Sequence, residues 1–364
     1  MKTTPTIKTV LTLLLSFPIL SYGQTVLSAD TSKDTYAHIN SVLAPGNDAI
    51  EVPDAIHNNM RHITQKFDSQ LNKDVFEFSI HVTPDNDIST TSTDRQRNEI
   101  KTYSPSPANL KGTLGEIVQY KWKFRIPVGF QPSSNFTHIH QIKAVGGDES
   151  NPIFAITLRK ATSSGATSKL ELNYYPPATS SATKLLNLEM AAFEGHWVEA
   201  TETITYGSAA TSTYDFVIKK ISDNSILATY SDNTLITFRP DNTFARPKWG
   251  IYRSIATQSA LRDESMLFAD FSIQELPSLG VDEFENAFKN VNIFPNPVNE
   301  YLSFTESILN KLDAYKIIEP TGKVLIYEKI KMDKVDVSFL KPGSYFIQLY
   351  QGKVKAKTIQ FLKK

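Results

Sequence analysis

The sequence contains no cysteine, which excludes disulfide staples, thiol nucleophiles and thiolate-bound zinc in any compartment. It lacks a surplus of either charge. Lys and Arg number 38 and so do Asp and Glu, which excludes both a uniformly basic nucleic-acid binder and an acidic solvating tail. It lacks a second long apolar run: Val10 to Ile19 is about ten residues, half of the roughly twenty that cross a bilayer, and nothing later approaches membrane length. Helical periodicity is scarce, and only 55–70 carries a pattern that predicts a helix. What is there is 364 residues, enough for two or more folding units of about 150 residues each.

The two ends are distinct from the middle. Lys2 and Lys8, the apolar run and the small residues of Ser21-Tyr22-Gly23 stand in the order of a secretory signal peptide, expected over 1–23. Near the other end, Phe294-Pro295-Asn296-Pro297 cannot join a helix or a central strand, because two prolines remove donors and Asn favours a turn. It marks the entry from a linker, 281–291, into a small domain, 292–364. Short β-type runs follow at 314–318, 324–330, 335–338 and 344–350, separated by Pro320-Thr321-Gly322, 331–334 and Lys341-Pro342-Gly343. With Thr321-Gly322-Lys323, Leu340 to Phe346 and the terminal Lys363-Lys364, this order resembles the C-terminal sorting domain of the type IX secretion system of Bacteroidetes, a small β-sandwich. The resemblance implies an export tag without chemistry of its own. It also implies the type IX machinery as a partner and a secreted, extracellular or cell-surface location.

The stretch 24–280 is expected to be a separate domain. Runs rich in Val, Ile, Thr, Tyr and Phe recur at 75–82, 116–126, 137–144, 153–160, 169–175, 197–206, 213–222, 227–231, 248–253 and 265–273. Strands in this number without intervening helices predict an all-β, two-sheet sandwich, and the size favours a jelly roll. Polar segments 161–168 and 176–183 are placed at the rim of a cleft.

Three strands carry polar side chains where a structural strand prefers apolar ones. Because side chains alternate, Arg95, Arg97, Glu99 and Lys101 share one face of the first. In the second, Gln141 and Lys143 share a face and His138 and His140 the other. The two His have no acidic or third His neighbour, so no metal set is assigned to them. In the third, Gly250 permits close backbone approach while Lys248 and Tyr252 project together.

In order, Arg97-Asn98-Glu99-Ile100-Lys101, Gln141-Ile142-Lys143 and Lys248-Trp249-Gly250-Ile251-Tyr252 resemble the signature strands of jelly-roll polysaccharide lyases, best known from alginate lyases of polysaccharide lyase family 7. Lys143 stands where that family has a catalytic His and Lys101 where it has a second Arg. A Lys and Tyr pair on this scaffold, together with a sorting domain, resembles the ulvan lyases of polysaccharide lyase family 28 from marine Bacteroidetes. The resemblance implies endolytic β-elimination at uronic acid residues of an anionic, sulfated polysaccharide, leaving unsaturated uronate ends. Another polyuronate (alginate, glucuronan or a heparin-like chain) and a non-catalytic jelly-roll carbohydrate-binding protein stand as alternatives.

The chemistry assigns roles. The C5 proton of a uronate is weakly acidic until its carboxylate is neutralised, so donors must stabilise the developing enolate. Arg97 and Gln141 are the candidates, with Asn98 as an extra donor where the backbone turns it inward, and Glu99 orients Arg97 or Lys101. Lys143 and Tyr252 are the catalytic candidates, and which is base and which acid stays open. Lys143 needs its ordinary value of about 10.4 depressed to act as a base. Arg253, which an ideal strand turns away from Tyr252, is a lesser candidate for sulfate or carboxylate. His140, His138, Tyr174 and Tyr175 are subsite candidates. The reaction requires no cofactor, and a structural calcium is left open at Asp263-Glu264 or Asp270. A jelly-roll glycosidase would show Glu-x-Asp-x-Glu on one strand face, and that string is absent. Charge is unevenly divided: residues 24–289 hold 24 basic against 31 acidic side chains, while 290–364 hold 12 against 7. An acidic domain that binds a polyanion must gather its cations in the cleft, and Arg95, Arg97, Lys101, Lys143 and Lys248 are the ones expected there.

Overall fold

The computed structural model describes residues 23–88, 92–277, 288, 291–305, 312–332, 334–351 and 354–364. The chain separates into two compact units, Met1–Pro277 and Ser278–Lys364. The leader, all but Gly23, and most of the 281–291 linker lie outside the described residues.

The strands of the first unit are β1 (Thr25–Leu27), β2 (Ile50–Glu51), β3 (Ile63–Asp68), β4 (Lys73–Ile80), β5 (Arg95–Lys101), β6 (Ile117–Arg125), β7 (Thr137–Val145) and β8 (Phe154–Arg159). They continue with β9 (Lys169–Tyr174), β10 (Thr183–Glu189), β11 (Val198–Thr205), β12 (Thr213–Lys220), β13 (Ile226–Asp232), β14 (Phe244–Ser254) and β15 (Glu264–Leu276); α1 (Thr35–Leu43) lies between β1 and β2. One antiparallel sheet runs β13-β12-β11-β6-β15-β4-β3, with β1 beside 271–273 of β15. The other runs β10-β9-β8-β7-β14-β5-β2. This is the all-β jelly-roll sandwich that the strand pattern predicts.

The two sheets bury themselves differently. On β6 the side chains of Val118, Tyr120, Trp122 and Phe124 are wholly buried while those between them reach partly into solvent, the two-residue period of a sheet with one wet face. The interior joins the sheets through Phe154 stacked on Tyr214, centroids 3.9 Å apart, and through Trp122 against His140 at 4.1 Å. In β7, β8, β9 and β14 nearly every residue is buried on both faces. One of those faces is polar.

The helix predicted over 55–70 does not form. Asn58 and Asn59 adopt positive φ, 52° and 59°, and Ile63–Asp68 continues as strand β3. Of the apolar residues that made the pattern, Ile56, Met60 and Phe67 are exposed and only Ile63 is buried, so the spacing corresponds to no buried stripe. The α-helix found among the described residues, α1, begins where Asp34 caps it by accepting a hydrogen bond from the Ala37 amide at 2.9 Å.

The second unit contains β16 (Ile293–Phe294), β17 (Tyr301–Phe304), β18 (Ala314–Ile318), β19 (Val324–Lys329), β20 (Lys334–Asp336), β21 (Gly343–Gln351) and β22 (Val354–Lys363). They form two small sheets, β16-β17-β20 and β19-β18-β21-β22, over a core that includes Leu302, Ile317, Ile347, Leu349 and Phe361. Strands β16, β17 and β22 were not among the expected runs.

Candidate active site

Strand β14 lies between β7 and β5, so the three polar segments are direct neighbours. The register sets Tyr252 opposite Arg97 on one side and His138 on the other, and Lys248 opposite Lys101 and Gln141. Arg246 lies opposite Lys143. Gly250 makes this approach possible. Its φ is +142°, and a Cβ there would stand 2.1 Å from the Asn98 carbonyl oxygen, so any side chain would push β14 off β5.

A groove of about 340 Å³ opens on this face, with Arg95, Arg97, Phe136, His138, Gln141, Lys143, Arg159, Tyr175, Lys248 and Tyr252 among its lining residues and, among the described residues, no carboxylate. Of the five cations expected to gather, Arg95, Arg97, Lys143 and Lys248 line it. Lys101 stands beside it, donating to Glu51 at 2.6 Å, and Glu51 also holds Lys248.

Four expected ligand-binding residues are not in the groove, among them Tyr174, which is buried and donates its hydroxyl to the Ile236 carbonyl at 3.2 Å. Asn98 is fully buried and donates to the carbonyls of His62 (2.9 Å) and Ser79 (2.7 Å). Arg253 is fully buried, bonded to Gln96 Oε1 and the Arg262 carbonyl, both at 2.9 Å. His140 faces the sandwich interior, where Nε2 meets Glu202 at 2.8 Å and Nδ1 the Lys248 carbonyl at 3.0 Å. Strand alternation sends Asn98 and Arg253 to the face opposite Arg97 and Tyr252. His138 corrects the alternation itself. The register shifts between His138 and His140 where β7 pairs β8, and between Trp249 and Tyr252 where β14 pairs β7. This bulge turns His138 to the groove beside Gln141 while His140 points inward.

Glu99 lies beneath the floor and organises it. Its side chain is buried and receives Arg97 Nη1 at 2.8 Å, Gln141 Nε2 at 2.5 Å and Lys248 Nζ at 3.3 Å. Burial alone would raise its carboxyl, but Lys248 and Arg97 outweigh burial and hold it below the usual range. Glu51, opposite Glu99 in the β2–β5 register, is held low in the same way by Lys248, Arg97 and Lys101. Arg97 is fixed from a second side by Asp87, Nε to Oδ1 at 2.9 Å, and its guanidinium lies 3.9 Å above the Tyr252 ring.

Above this floor stand two groups able to move protons. Burial, then the charges of Lys248, Arg246 and Arg97, push the Lys143 ammonium down to about 8. Its Nζ donates to the carbonyls of Glu149 (2.6 Å) and Ser150 (3.1 Å). A neutral amine has two N–H groups, so these two acceptors leave its lone pair as the remaining valence. The Tyr252 hydroxyl accepts from Arg95 Nη1 at 2.9 Å. Burial raises this phenol, with Arg97 and Arg95 opposing the rise, so it stays protonated at neutral pH. His138 is held down to about 4 by burial, stacks on Phe136 and bonds Thr157 at 2.8 Å, which leaves it a neutral wall.

Sequence reasoning missed Glu51, Asp87 and Arg159. The first two come from a two-residue strand and a loop that carry no periodic signal. Arg159 ends a run read only as a strand. The acidic groups left open for calcium meet protein partners instead: Asp270 pairs with Lys73 and Lys123, Glu264 with Arg262, and Asp263 accepts the Val82 amide.

Residues 292–363 match the family model of the secretion system C-terminal sorting domain, and the chain is accordingly an exported protein of the cell surface or the medium. No curated protein matches the sequence. Among solved structures, the chain is similar to an endo-β-1,4-glucuronan lyase from the fungus Trichoderma reesei, with 16% identity over 59% of this chain and 88% of that one, TM-score 0.41. It is similar to a marine alginate lyase from Aplysia kurodai, with 12% identity over 69% and 98%, TM-score 0.45. It is also similar to an alginate lyase from Pseudomonas aeruginosa, with 11% identity over 62% and 97%, TM-score 0.41.

Proposed function

We propose that the first unit is an endolytic polysaccharide lyase that cleaves ulvan at its uronic acid residues. The observation that carries this reading is a groove lined by cations and, among the described residues, no carboxylate, whose lining includes both an amine lowered to about 8 and a protonated phenol. Two-carboxylate glycoside hydrolysis has no residues to perform it there. β-Elimination does.

Arg97, Gln141 and Lys248, fixed by Glu99, meet the uronate carboxylate and take up charge as the C5 proton leaves. Lys143 accepts that proton through its lone pair. The C5–H electron pair forms the C4–C5 double bond, the C4–O bond breaks, and Tyr252 donates its proton to the departing sugar oxygen. Arg95 then meets the phenolate, and solvent takes the proton from Lys143 and returns one to Tyr252. One carboxylate needs fewer cations than the groove offers, so Arg95 and Arg159 are assigned to sulfate groups of neighbouring sugars, with Tyr175 as a stacking wall. Export by the type IX route delivers the enzyme to a polymer too large to enter the cell.

Mass spectrometry of digests tests the reaction and the substrate together. Ulvan is expected to yield oligosaccharides ending in an unsaturated uronate, each lacking the water that hydrolysis adds, in preference to alginate, glucuronan and heparin-like chains. Hydrated ends, or intact polymers throughout, contradict the proposal.

A further inference from the structure

A second polar cluster lies outside the groove, between the β2–β3 and β4–β5 connections. His57, His62, His81 and Asp85 each offer one ligand atom, and these four atoms all lie within 4.8 Å of one another. His57 and His62 each stand 3.0 Å from Asp85 Oδ1, His81 stands 3.2 Å from Oδ2, and His62 Nε2 is 3.3 Å from His81 Nδ1. Four ligands at Zn–N and Zn–O lengths of about 2.0–2.2 Å on a tetrahedron are about 3.3 Å apart. The four contacts at 3.0–3.3 Å have that size, and the widest pair stands within 4.8 Å.

The orientation of His62 suits it as a ligand. His62 Nδ1 lies 2.7 Å from Asp54 Oδ1, an acceptor, so Nδ1 carries the hydrogen. In a neutral ring the other nitrogen then holds a lone pair, and it faces both the Asp85 oxygen and His81 Nδ1. His62 and Asp85 are fully buried, and an ion placed between them would take the lone pair of Nε2 together with the Asp85 oxygen. The surroundings are those of a ligand shell. Tyr36 donates to Asp54 at 2.7 Å, so a hydroxyl holds the carboxylate that holds His62. Gln96 Nε2 donates to the carbonyls of His81 and Asp85, fixing the loop that carries two of the four groups.

We infer that His57, His62, His81 and Asp85 bind one divalent zinc ion. Three imidazoles and one carboxylate suit a borderline cation rather than calcium or magnesium, which take all-oxygen shells. Four protein ligands close the coordination sphere, so the ion is structural. It pins the connection before β3 to the one before β5, and Asp87, two residues beyond Asp85, is the partner that fixes Arg97. His57 and His81 are partly exposed and give the ion its way in.

The test uses the full exported chain prepared without a polyhistidine tag. Elemental analysis after dialysis against zinc is expected to give one zinc per chain. Cobalt exchanged into the same protein is expected to show the intense visible bands of tetrahedral Co(II). His57→Ala and His81→Ala lose both signals, and His196→Ala keeps both. Asp54→Asn retains the four ligands and weakens zinc about 10–100-fold. Wild-type protein that holds no stoichiometric zinc and shows no cobalt bands overturns the inference, whatever the variants do, and so does undiminished zinc in folded His57→Ala and His81→Ala.

Discussion

Gln96 and Arg97 are neighbours on β5, and their side chains leave opposite faces of the sheet to serve two different carboxylate clusters. Arg97 reaches Glu99, which is ringed by Arg97, Lys248 and Gln141. Gln96 braces the loop of Asp85, which is ringed by three imidazoles. Both carboxylates are buried and charged, and the difference lies in the ring. Ammonium and guanidinium groups have no lone pair to offer, so the Glu99 cluster presents donors and positive charge to an anion. Imidazoles have one each, so the Asp85 cluster presents them to a cation. One strand thus carries an anion site on its groove face and a cation site behind it, and the second steadies the first through Asp87.

The widest separation between the two comes from the proton-moving groups. Lys143→Ala and Tyr252→Phe are each expected to lower kcat by about 10²–10⁴ while leaving metal content and the unfolding midpoint as in wild type. His57→Ala should do the reverse, losing metal with kcat of the same order. Near-normal turnover in both groove variants would dissolve the comparison.

Glu99→Gln comes next. Removing the charge leaves Arg97 and Lys248 short of a buried partner, which costs about 3–5 kcal/mol and should appear as a lower midpoint in urea unfolding. An unchanged midpoint would show that Glu51 and Asp87 suffice. The pH dependence follows. With Lys143 as base and its folded value about 8, the free amine grows scarcer as pH falls, so kcat/KM should drop about tenfold per unit below that point and level off above it. A limb lying instead above the ordinary tyrosine range would transfer the base role to Tyr252. The smallest effect is at the rim. Arg159 is about a third exposed and paired with Glu171, so Arg159→Ala should raise KM by at most about fivefold, an effect that vanishes at high salt.

How much of this was legible follows from the type of signal each residue leaves. Alternation along single strands placed Arg97 with Glu99, Gln141 with Lys143 and Lys248 with Tyr252 before any pairing was known, because a two-residue period is written into the sequence. It also turned Arg253 away from Tyr252, as the structure does. The bulge beside Ile139 was not legible: it depends on register with two neighbouring strands, and it moved His138 to the groove and left His140 inside. Glu51 and Asp87 reach the site from elements too short to show a period. The imidazole cluster was invisible for a further reason. Its members span 57–85 at irregular spacing on two connections, and only the β3–β4 hairpin brings His62 and His81 together. The helix placed at 55–70 covered the first half of that cluster.

The central claim is β-elimination by the groove, and the ultraviolet absorbance of the unsaturated uronate reports it continuously. Wild-type protein with purified ulvan is expected to give an absorbance rise proportional to protein concentration, and Lys143→Ala almost none. A folded wild-type protein that produces no rise on ulvan, glucuronan or alginate would contradict the account.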